Sequence, residues 1–508
     1  MTDCIAKIDR EHSRKFNFHA WSENAEIKEL VTVIFSNFTP EQRDKLISKS
    51  NNKGKSDPLE QLRIIMIDLY LGWKADPTLC TAVSRNNNDY KPKSRYNARN
   101  VPKRITAVFD ALYESGYIDK VKGAYNYDNP SLSRRTRYRP TKMLQSMFQQ
   151  IGVSPYEIDL HHNQECIILR DKDPDSSSAK DLEYDDDNHT CSMRYEVQAY
   201  NYLMEQHYVD VATLQDPYII REVKPTRGTS NKTLYPVDQF HKFTRRIFSR
   251  GSWELNGRWN GGFWQNLPKH MRRDIFIDGE PTDEIDYSGL HPSLLALEEG
   301  YRLVGDRYDL GMQICPRIPP QDQRKIVKQL VLIGINAKDR STAFKAFQSD
   351  NHGYKKADLE KLLDAFIDKH PYLVGSICSD QGIRLMNVDS KITTHIINQF
   401  VALGKPILPI HDSYIVKTED QQLLRTAMSN ACIEVVGADI EAEARSDKEA
   451  QYLKYATTWR DRDWDFYLDT CRQMRLPLEV EGYIERYRDW SEWKKSYQAY
   501  FPADKCIS

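Results

Sequence analysis

The sequence predicts an α+β fold, with a mainly helical N-terminal region followed by a region of short strands and helices. Residues 56–120 carry apolar side chains at helical spacing, whereas residues 282–287 and 406–417 predict short strands. In the first, Ile285 and Tyr287 flank Asp286, and in the second, apolar residues lie on both sides of Asp412. Because strands disfavour aspartate and burial of an unpaired carboxylate is costly, the two residues mark the first candidate site.

The composition is that of a globular chain without a global charge. The 508 residues include 72 Lys and Arg against 73 Asp and Glu, so a nucleic-acid surface must come from local clusters. No apolar run approaches the roughly 18–20 residues that span a bilayer, and the N-terminus lacks an apolar signal segment. Nine cysteines are scattered without a CxxC pair. We therefore expect a cytoplasmic protein without disulfides, structural zinc or membrane contact.

Local basic charge is concentrated in the N-terminal region. A helix is predicted after Asp57-Pro58, an N-cap and N1 pair, and a second helix from residue 105 to the glycine at 123. A basic loop lies between them, and the basic ribbon that follows contains Arg134, Arg135, Arg137 and Arg139. Helix, loop, helix and ribbon together resemble a winged-helix unit. One basic run alone is usually a solvated surface, but three runs interleaved with tyrosines favour a surface that faces nucleic acid.

Shifts in composition divide the chain into regions. Residues 171–190 are polar, acidic and poor in apolar side chains, which indicates a linker. The predicted regions are a winged-helix-like nucleic-acid-binding region at 1–150, a linker and thumb-like helical region at 151–250, a catalytic region at 251–450 and a helical appendage at 451–508. The aromatic side chains of the appendage are most simply buried, and base stacking is the alternative.

The two aspartates stand in different local patterns. The stretch TDEIDYSGLHPSLLALEEG at 282–300 predicts a strand, a turn at Ser288-Gly289 and an amphipathic helix, so Asp286 lies at a strand end. The stretch PILPIHDSYIVK at 406–417 predicts one buried strand with Asp412 at its centre. Carboxylates on adjacent strands can hold two Mg²⁺ ions, with Mn²⁺ as an alternative, for in-line phosphoryl transfer. The sequence therefore predicts a two-metal site.

A helix with a cationic face is predicted between these strands, after Pro319-Pro320. Arg324 and Lys328 are four residues apart and so share one face of this helix. Arginine supplies forked hydrogen bonds and lysine a mobile point charge, a combination that suits a triphosphate. An amphipathic surface helix is the alternative for this segment taken alone.

In order and spacing, four stretches resemble the motifs of family A nucleic-acid polymerases, a superfamily that includes the phage-type single-subunit RNA polymerases. DYSGLHPSLLA resembles motif A, RKIVKQLVLIGINA motif B and PIHDSYIV motif C, which in that family is a hairpin carrying the second metal-binding aspartate. GRWNGGFWQNLPKH resembles the stretch that precedes motif A. The resemblance covers about residues 250–420. It implies a right-hand polymerase-like palm, built on an antiparallel sheet, with helical fingers.

The resemblance also implies roles for individual residues. Asp286 and Asp412 would be the catalytic metal ligands, with the Tyr287 carbonyl as a further ligand. Contacts to the nucleoside triphosphate are implied for Arg324, Lys328, His291 and Asn336. Contacts to the primer and template are implied for Arg258, Gln265, Asn266 and His411. A packing role is the alternative for His291.

Three positions depart from the family pattern. His291 replaces the glutamate that screens out the ribose 2′-hydroxyl in the DNA enzymes, Asn336-Ala337 replace a Tyr-Gly pair, and Ser413 stands where those enzymes often carry glutamate. These departures leave the choice of sugar open. No acidic pattern resembling a proofreading exonuclease occurs in the N-terminal half, so no editing activity is expected.

We therefore predict a template-directed, DNA polymerase-like nucleotidyltransferase that acts in the replication of a plasmid, phage or mobile element. Its partners would be a DNA primer-template, with RNA as an alternative, and nucleoside triphosphates. An RNA polymerase or primase-like enzyme that uses ribonucleotides is the nearest alternative. A metal-dependent nuclease and a non-catalytic DNA-binding replication protein are further alternatives, and the oligomeric state is open.

Overall fold

The computed structural model has the α+β composition that the sequence predicts, with helices and mainly antiparallel sheets. It describes residues 12–47, 57–86, 89–126, 133–161, 163–172, 179–223, 231–303, 305–351, 353–444 and 479–500. Of the appendage predicted at 451–508, only residues 479–500 belong to the described part, and the rest lies outside it. Among the described helices, none is long and apolar enough to cross a membrane.

The elements are named in chain order. The described helices are α1 (Ala25–Ser36), α2 (Pro40–Leu46), α3 (Pro58–Ala75), α4 (Ile105–Glu114), α5 (Lys142–Gln149), α6 (Asn188–Glu205), α7 (Lys269–Arg272), α8 (Leu290–Glu298), α9 (Pro320–Asn336), α10 (Arg340–Asp350), α11 (Lys356–Lys369), α12 (Gly382–Ala402), α13 (Gln421–Val436) and α14 (Glu481–Tyr500). The described strands are β1 (Ser13–Lys15), β2 (Cys80–Val83), β3 (Ile118–Val121), β4 (Thr136–Pro140), β5 (Ile167–Lys172), β6 (Ala179–Asp181), β7 (Val209–Val211), β8 (Tyr218–Val223), β9 (Asn231–Pro236), β10 (Arg245–Ser249), β11 (Ser252–Asn260), β12 (Ile275–Ile277), β13 (Glu280–Tyr287), β14 (Leu408–Ile410), β15 (Ser413–Lys417) and β16 (Ala442–Ala444).

The chain forms two compact units, each assembled from separate segments. The first unit comprises the described residues within 1–165, 210–243 and 478–508, and the second comprises those within 166–209 and 244–477. The basic ribbon therefore belongs to the first unit, and both candidate aspartates belong to the second.

In the first unit, helices α1, α3 and α4 share a buried apolar core with a four-stranded sheet of order β1-β2-β4-β3. Helix α3 begins as predicted, because the Asp57 side chain accepts a hydrogen bond from the Leu59 N–H and Pro58 is the first helical residue. The second predicted helix is shorter than predicted. Helix α4 ends at Glu114, since Gly116 adopts a φ of +78°, and the residues that follow form β3 instead. The winged-helix assignment stays a prediction.

The second unit contains two sheets. One has the order β14-β15-β13-β12, with β16 also paired to β13, and all of these pairs are antiparallel. The other has the order β11-β10-β5-β6. The long helix α12 packs on β11, where the buried Trp259 indole donates to the Thr394 hydroxyl at 3.1 Å.

The prediction of a helical region at 151–250 is wrong. In the described part of this range the main elements are the strands β5 to β10, and α6 is the one α-helix. Short runs such as CIILR, YIIRE and RRIFS carry β-branched and aromatic residues, which favour strands over helices, and burial alternates along RRIFS.

A bulge in β11 determines where Arg258 lies. Ile247 of β10 pairs with Arg258, but the next residue, Phe248, pairs with Asn256, so Gly257 is the extra residue. Gly257 has a φ of +84°, and a Cβ at this position would lie 2.6 Å from the Phe248 ring. Its carbonyl accepts a hydrogen bond from Arg246 Nε at 3.0 Å. Glycine is therefore required here both by the backbone conformation and by the space available.

We predict that Gly257→Ala lowers the free energy of unfolding by about 2–4 kcal/mol, because it adds left-handed backbone strain and a clash with Phe248. Gly404→Ala is the matched control. Gly404 also has a positive φ, of +63°, but a Cβ there would meet nothing within 4 Å. This control should cost only about 1 kcal/mol. Urea unfolding followed by circular dichroism measures both, and equal losses would contradict the steric part of the argument.

Candidate active site

Asp412 lies at the tip of a tight β-hairpin. Strands β14 and β15 are joined by the two-residue turn His411-Asp412, with Ile410 paired to Ser413. His411 adopts a φ of +57°, a left-handed conformation that costs a non-glycine residue roughly 1 kcal/mol or more. The prediction of one strand with Asp412 buried at its centre is therefore wrong. At the partly exposed turn the carboxylate keeps access to solvent, so the predicted burial cost is largely avoided.

Asp286 lies beside this turn. It is the penultimate residue of β13 and pairs with Ser413 of β15, so the two aspartates come from adjacent strands, as predicted. The backbone N–H of Tyr287 donates to the carbonyl of Asp412 at 3.1 Å. The buried Tyr287 side chain points away from the turn, and its hydroxyl donates to the Met428 carbonyl at 2.7 Å. The chain then turns through Gly289, with a φ of +54°, into α8, also as predicted.

The donor set suits magnesium that arrives together with a phosphate. Among the described residues, no group of three or more His, Cys, Asp or Glu side chains could by itself hold a metal ion. Two carboxylates and a backbone carbonyl are hard oxygen donors, and Mg²⁺ usually binds through one or two carboxylates plus substrate phosphates and water. Asp286, Asp412 and the Tyr287 carbonyl therefore fit a site that the substrate completes, and Mn²⁺ accepts the same donors.

The buried carboxylate of Glu284, on β13, stabilises the hairpin through a hydrogen bond. Ser413 is fully buried, and its hydroxyl donates to Glu284 Oε1 at 2.9 Å. Arg272 donates to both oxygens of the same carboxylate, at 3.1 and 3.0 Å. Glu284 thus places a carboxylate next to Ser413. No prediction was made for Glu284, although Glu284 and Asp286 lie two residues apart and so share a strand face.

Arg258 is held by two partners on neighbouring elements. Its Nε donates to Asp389 Oδ2 at 2.6 Å, and its Nη2 donates to His291 Nε2 at 3.2 Å. Asp389, on α12, is fully buried, and Arg258 is 17% exposed. Burial, and then the Arg258 charge, lower the pKa of His291 from its ordinary value of 6.5 to about 4, so the ring is neutral and accepts. No local pattern around Asp389 indicates this contact.

Of the residues predicted to contact the primer and template, Gln265 connects two strands through hydrogen bonds, whereas Asn266 and His411 are exposed. The Gln265 amide donates to the carbonyls of Trp259 (2.9 Å) and Pro409 (3.0 Å) and accepts from the Gly261 N–H (3.1 Å), so it ties β14 to β11. Asn266 is exposed, and so is His411 at the hairpin tip. Desolvation, and then the Arg258 charge, lower the pKa of His411.

Helix α9 presents the predicted cationic face. It begins at Pro320, as predicted, and both Arg324 and Lys328 are exposed on it. Arg324 forms an ion pair with Asp306, and this hydrogen bond raises the pKa of Arg324. The Lys328 ammonium lies 5.7 Å from the centre of the Tyr308 ring. At the end of the helix, the exposed Asn336 amide donates to the Leu332 carbonyl at 2.8 Å.

The segment before α9 contributes residues that the sequence analysis missed. Arg307 is buried and donates to the hydroxyls of Ser288 at 2.7 Å and Ser293 at 3.0 Å. It thereby holds the turn that follows Asp286. The flanking residues are Asp306, which pairs with Arg324, and Tyr308, which lies beneath Lys328. The sequence DRYD at 306–309 has no pattern that would have indicated these contacts.

The basic ribbon on β4 of the first unit is partly neutralised. Arg135 is exposed and pairs with Asp89 at 3.2 Å, and Arg139 pairs with Asp119 at 3.4 Å. Arg137 is buried and donates to the Arg135 carbonyl. Arg134 is partly exposed. A nucleic-acid-facing surface at this ribbon therefore depends on Arg134, Arg135 and Arg139 rather than on Arg137.

Comparison with known proteins gives little further support. No protein-family model and no curated protein sequence matches the chain. One solved structure that matches is described as the POL domain of Pol1 from M. smegmatis in complex with DNA primer-template and dNTP. It is 12% identical, and the match covers 82% of this chain and 65% of that one, with a TM-score of 0.28. This chain thus spans less than two thirds of that domain, and a likeness at this level supports no assignment.

The lowered pKa of His291 predicts an acid-sensitive fold. Between pH 7 and pH 5 the unfolded chain takes up a proton at this histidine while the folded chain does not, so the folded state loses about 2 kcal/mol. His291→Gln keeps a neutral acceptor for Arg258 and removes the titration. We expect the melting temperature of this variant, measured in EDTA, to fall less than that of the unmodified protein over this range. His395→Gln, at an exposed position on α12, is the control and should leave the pH dependence unchanged.

Proposed function

We propose that this protein is a template-directed nucleic-acid polymerase that extends a primer with nucleoside triphosphates. One observation carries the proposal, the meeting of Asp286 and Asp412 at the ends of paired strands, where Tyr287 N–H donates to the Asp412 carbonyl. The motif resemblance supports a right-hand palm on the β13–β15 sheet with α9 in the fingers. This assignment is finer than the α+β fold itself and is part of the proposal.

In the proposed reaction, the 3′-oxygen of the primer forms a bond to the α-phosphorus of the triphosphate, and the bond from that phosphorus to its bridging oxygen breaks, releasing pyrophosphate. Asp286, Asp412 and the Tyr287 carbonyl would hold two Mg²⁺ ions, which when bound activate the attacking hydroxyl and stabilise the leaving oxygen. The exposed Arg324 and Lys328 would bind the triphosphate, with Asn336 further along α9. Asp389 and His291 keep Arg258 in a fixed position beside the hairpin.

DNA synthesis is the preferred form of this activity, because the DYS and QNLP stretches are most similar to the DNA enzymes. In this proposal His411, Asn266 and the exposed arginines of the ribbon would contact a DNA primer-template. No proofreading is proposed, and replication of a plasmid, phage or mobile element is the proposed setting. Primer extension on DNA and RNA templates, with deoxyribonucleotides and ribonucleotides supplied separately, tests the choice of sugar and of template.

We predict that Asp412→Asn reduces primer extension by at least about 10³-fold, since losing a metal ligand removes several kcal/mol of transition-state stabilisation. Binding of a primer-template, measured by fluorescence anisotropy, should remain. Glu419→Gln is the control, because Glu419 is an exposed carboxylate just after the same hairpin. Extension that survives Asp412→Asn at the unmodified rate would exclude the metal-site assignment.

We predict that Lys328→Ala raises KM for the nucleotide about 10-fold, because a charge-assisted contact to phosphate is lost. Lys361→Ala is the control, since Lys361 is an exposed lysine on another helix, α11. Steady-state primer extension measures both variants. A nuclease does not need this cationic face, so strand cleavage without added nucleotides that is indifferent to Lys328→Ala would favour the nuclease alternative.

A further inference from the structure

Tyr308 carries a buried hydroxyl whose partner is missing. The side chain is 4% exposed, and within the described ranges its hydroxyl makes no hydrogen bond to the protein. Buried polar groups in folded proteins are nearly always paired, so a group without a partner indicates either an unfavourable contact or a place for a ligand. The ring itself is well supported, since it stacks on Phe366 with ring centres 6.5 Å apart.

The hydroxyl lies against the turn that follows Asp286. A Cβ placed on Gly289 would be 3.3 Å from the Tyr308 oxygen and 3.0 Å from Arg307 Cδ. The Lys328 ammonium lies over the ring of the same tyrosine, 5.7 Å from its centre. Tyr308 thus stands between the aspartate-bearing strand β13 and the cationic face of α9, which are the two elements that the proposed reaction requires.

The surroundings favour a phosphate oxygen as the missing partner. Burial raises the pKa of Tyr308 to about 12, so the hydroxyl is protonated and can donate at any working pH. The exposed side chains next to it on α9, Arg324 and Lys328, are cationic and would attract an anion. A neutral donor between two cations matches an anionic oxygen better than it matches a sugar hydroxyl or a base edge.

We propose that the Tyr308 hydroxyl donates a hydrogen bond to a non-bridging phosphate oxygen of the bound nucleoside triphosphate. Together with Arg324 and Lys328 it would form the triphosphate site, and its rigid ring would define where the phosphate chain lies. The inference rests on the proposed function, because it assigns a further binding residue to the same site.

The test is Tyr308→Phe, which removes the hydroxyl and keeps the ring. A contact to charged phosphate that is equally strong in the ground state and transition state should raise KM about 10- to 100-fold and leave kcat unchanged. The melting temperature without nucleotide should not fall, since no protein hydrogen bond is lost. Tyr301→Phe is the matched control, because Tyr301 lies in the same segment with its side chain 53% exposed.

Two further measurements test whether the Tyr308 hydroxyl contacts phosphate. Inhibition of primer extension by inorganic tripolyphosphate should weaken by the same factor as nucleotide binding, and an effect on the nucleotide alone would overturn the phosphate assignment. An unchanged KM, or a melting temperature that falls in the absence of nucleotide, would also overturn it.

The nucleotide-induced rise in melting temperature measures binding without catalysis. If the unmodified protein fails to extend any primer, the proposed function fails on its own. If the unmodified protein binds and extends while Tyr308→Phe behaves like Tyr301→Phe, only the assignment of Tyr308 fails.

Discussion

The hydrogen bond from the Tyr287 N–H to the Asp412 carbonyl is the contact on which the candidate site depends. It joins two segments far apart in the chain, and closing so long a loop has an entropic cost that other contacts must offset. Those contacts surround the hairpin. Ser413 and Arg272 meet on the buried Glu284 carboxylate, and Gln265 holds the Pro409 carbonyl. A set of buried, mutually satisfied polar groups therefore fixes the distance between two carboxylates that would otherwise repel each other.

Local signals in the sequence were sufficient for elements that begin or end at a residue with a strong conformational preference. Asp57 and Pro58 start α3, Pro320 starts α9, and Gly289 makes the turn between β13 and α8. The hairpin at 406–417 was not predicted from the local pattern, because no residue with such a preference marks its turn. Its turn contains neither glycine nor asparagine, so nothing in the local sequence separated two strands from one. His411 has a positive φ within this turn, and the turn is held at the Asp412 carbonyl by the Tyr287 N–H, from a strand distant in sequence.

The same distinction applies to the site. Residue type and spacing predicted that Asp286 lies at a strand end and that Arg324 and Lys328 share a helix face, because both depend on regular periodicity. The placement of Asp286 and Asp412 on adjacent strands was expected from the chemistry of a two-metal site. The partners of these residues could not be predicted. Asp389 and Asp306 reach Arg258 and Arg324 from elements distant in sequence. A partner of this kind is a property of the packing between elements, and a single sequence records it only indirectly.

The Asp306 carboxylate already pairs with Arg324, so a phosphate that bound Arg324 would have to compete with this carboxylate. A ligand must displace a carboxylate that is tethered beside the guanidinium, and an exposed pair of this kind is worth only about 0.2–1 kcal/mol, so affinity is reduced a few-fold at most. In the proposed triphosphate site, a lone phosphate would replace that carboxylate with little gain, whereas a longer phosphate chain would also contact Lys328. The pair would therefore modestly favour ligands with more than one phosphate. Because salt screens the additional contact to the exposed Lys328, this preference should weaken as ionic strength rises.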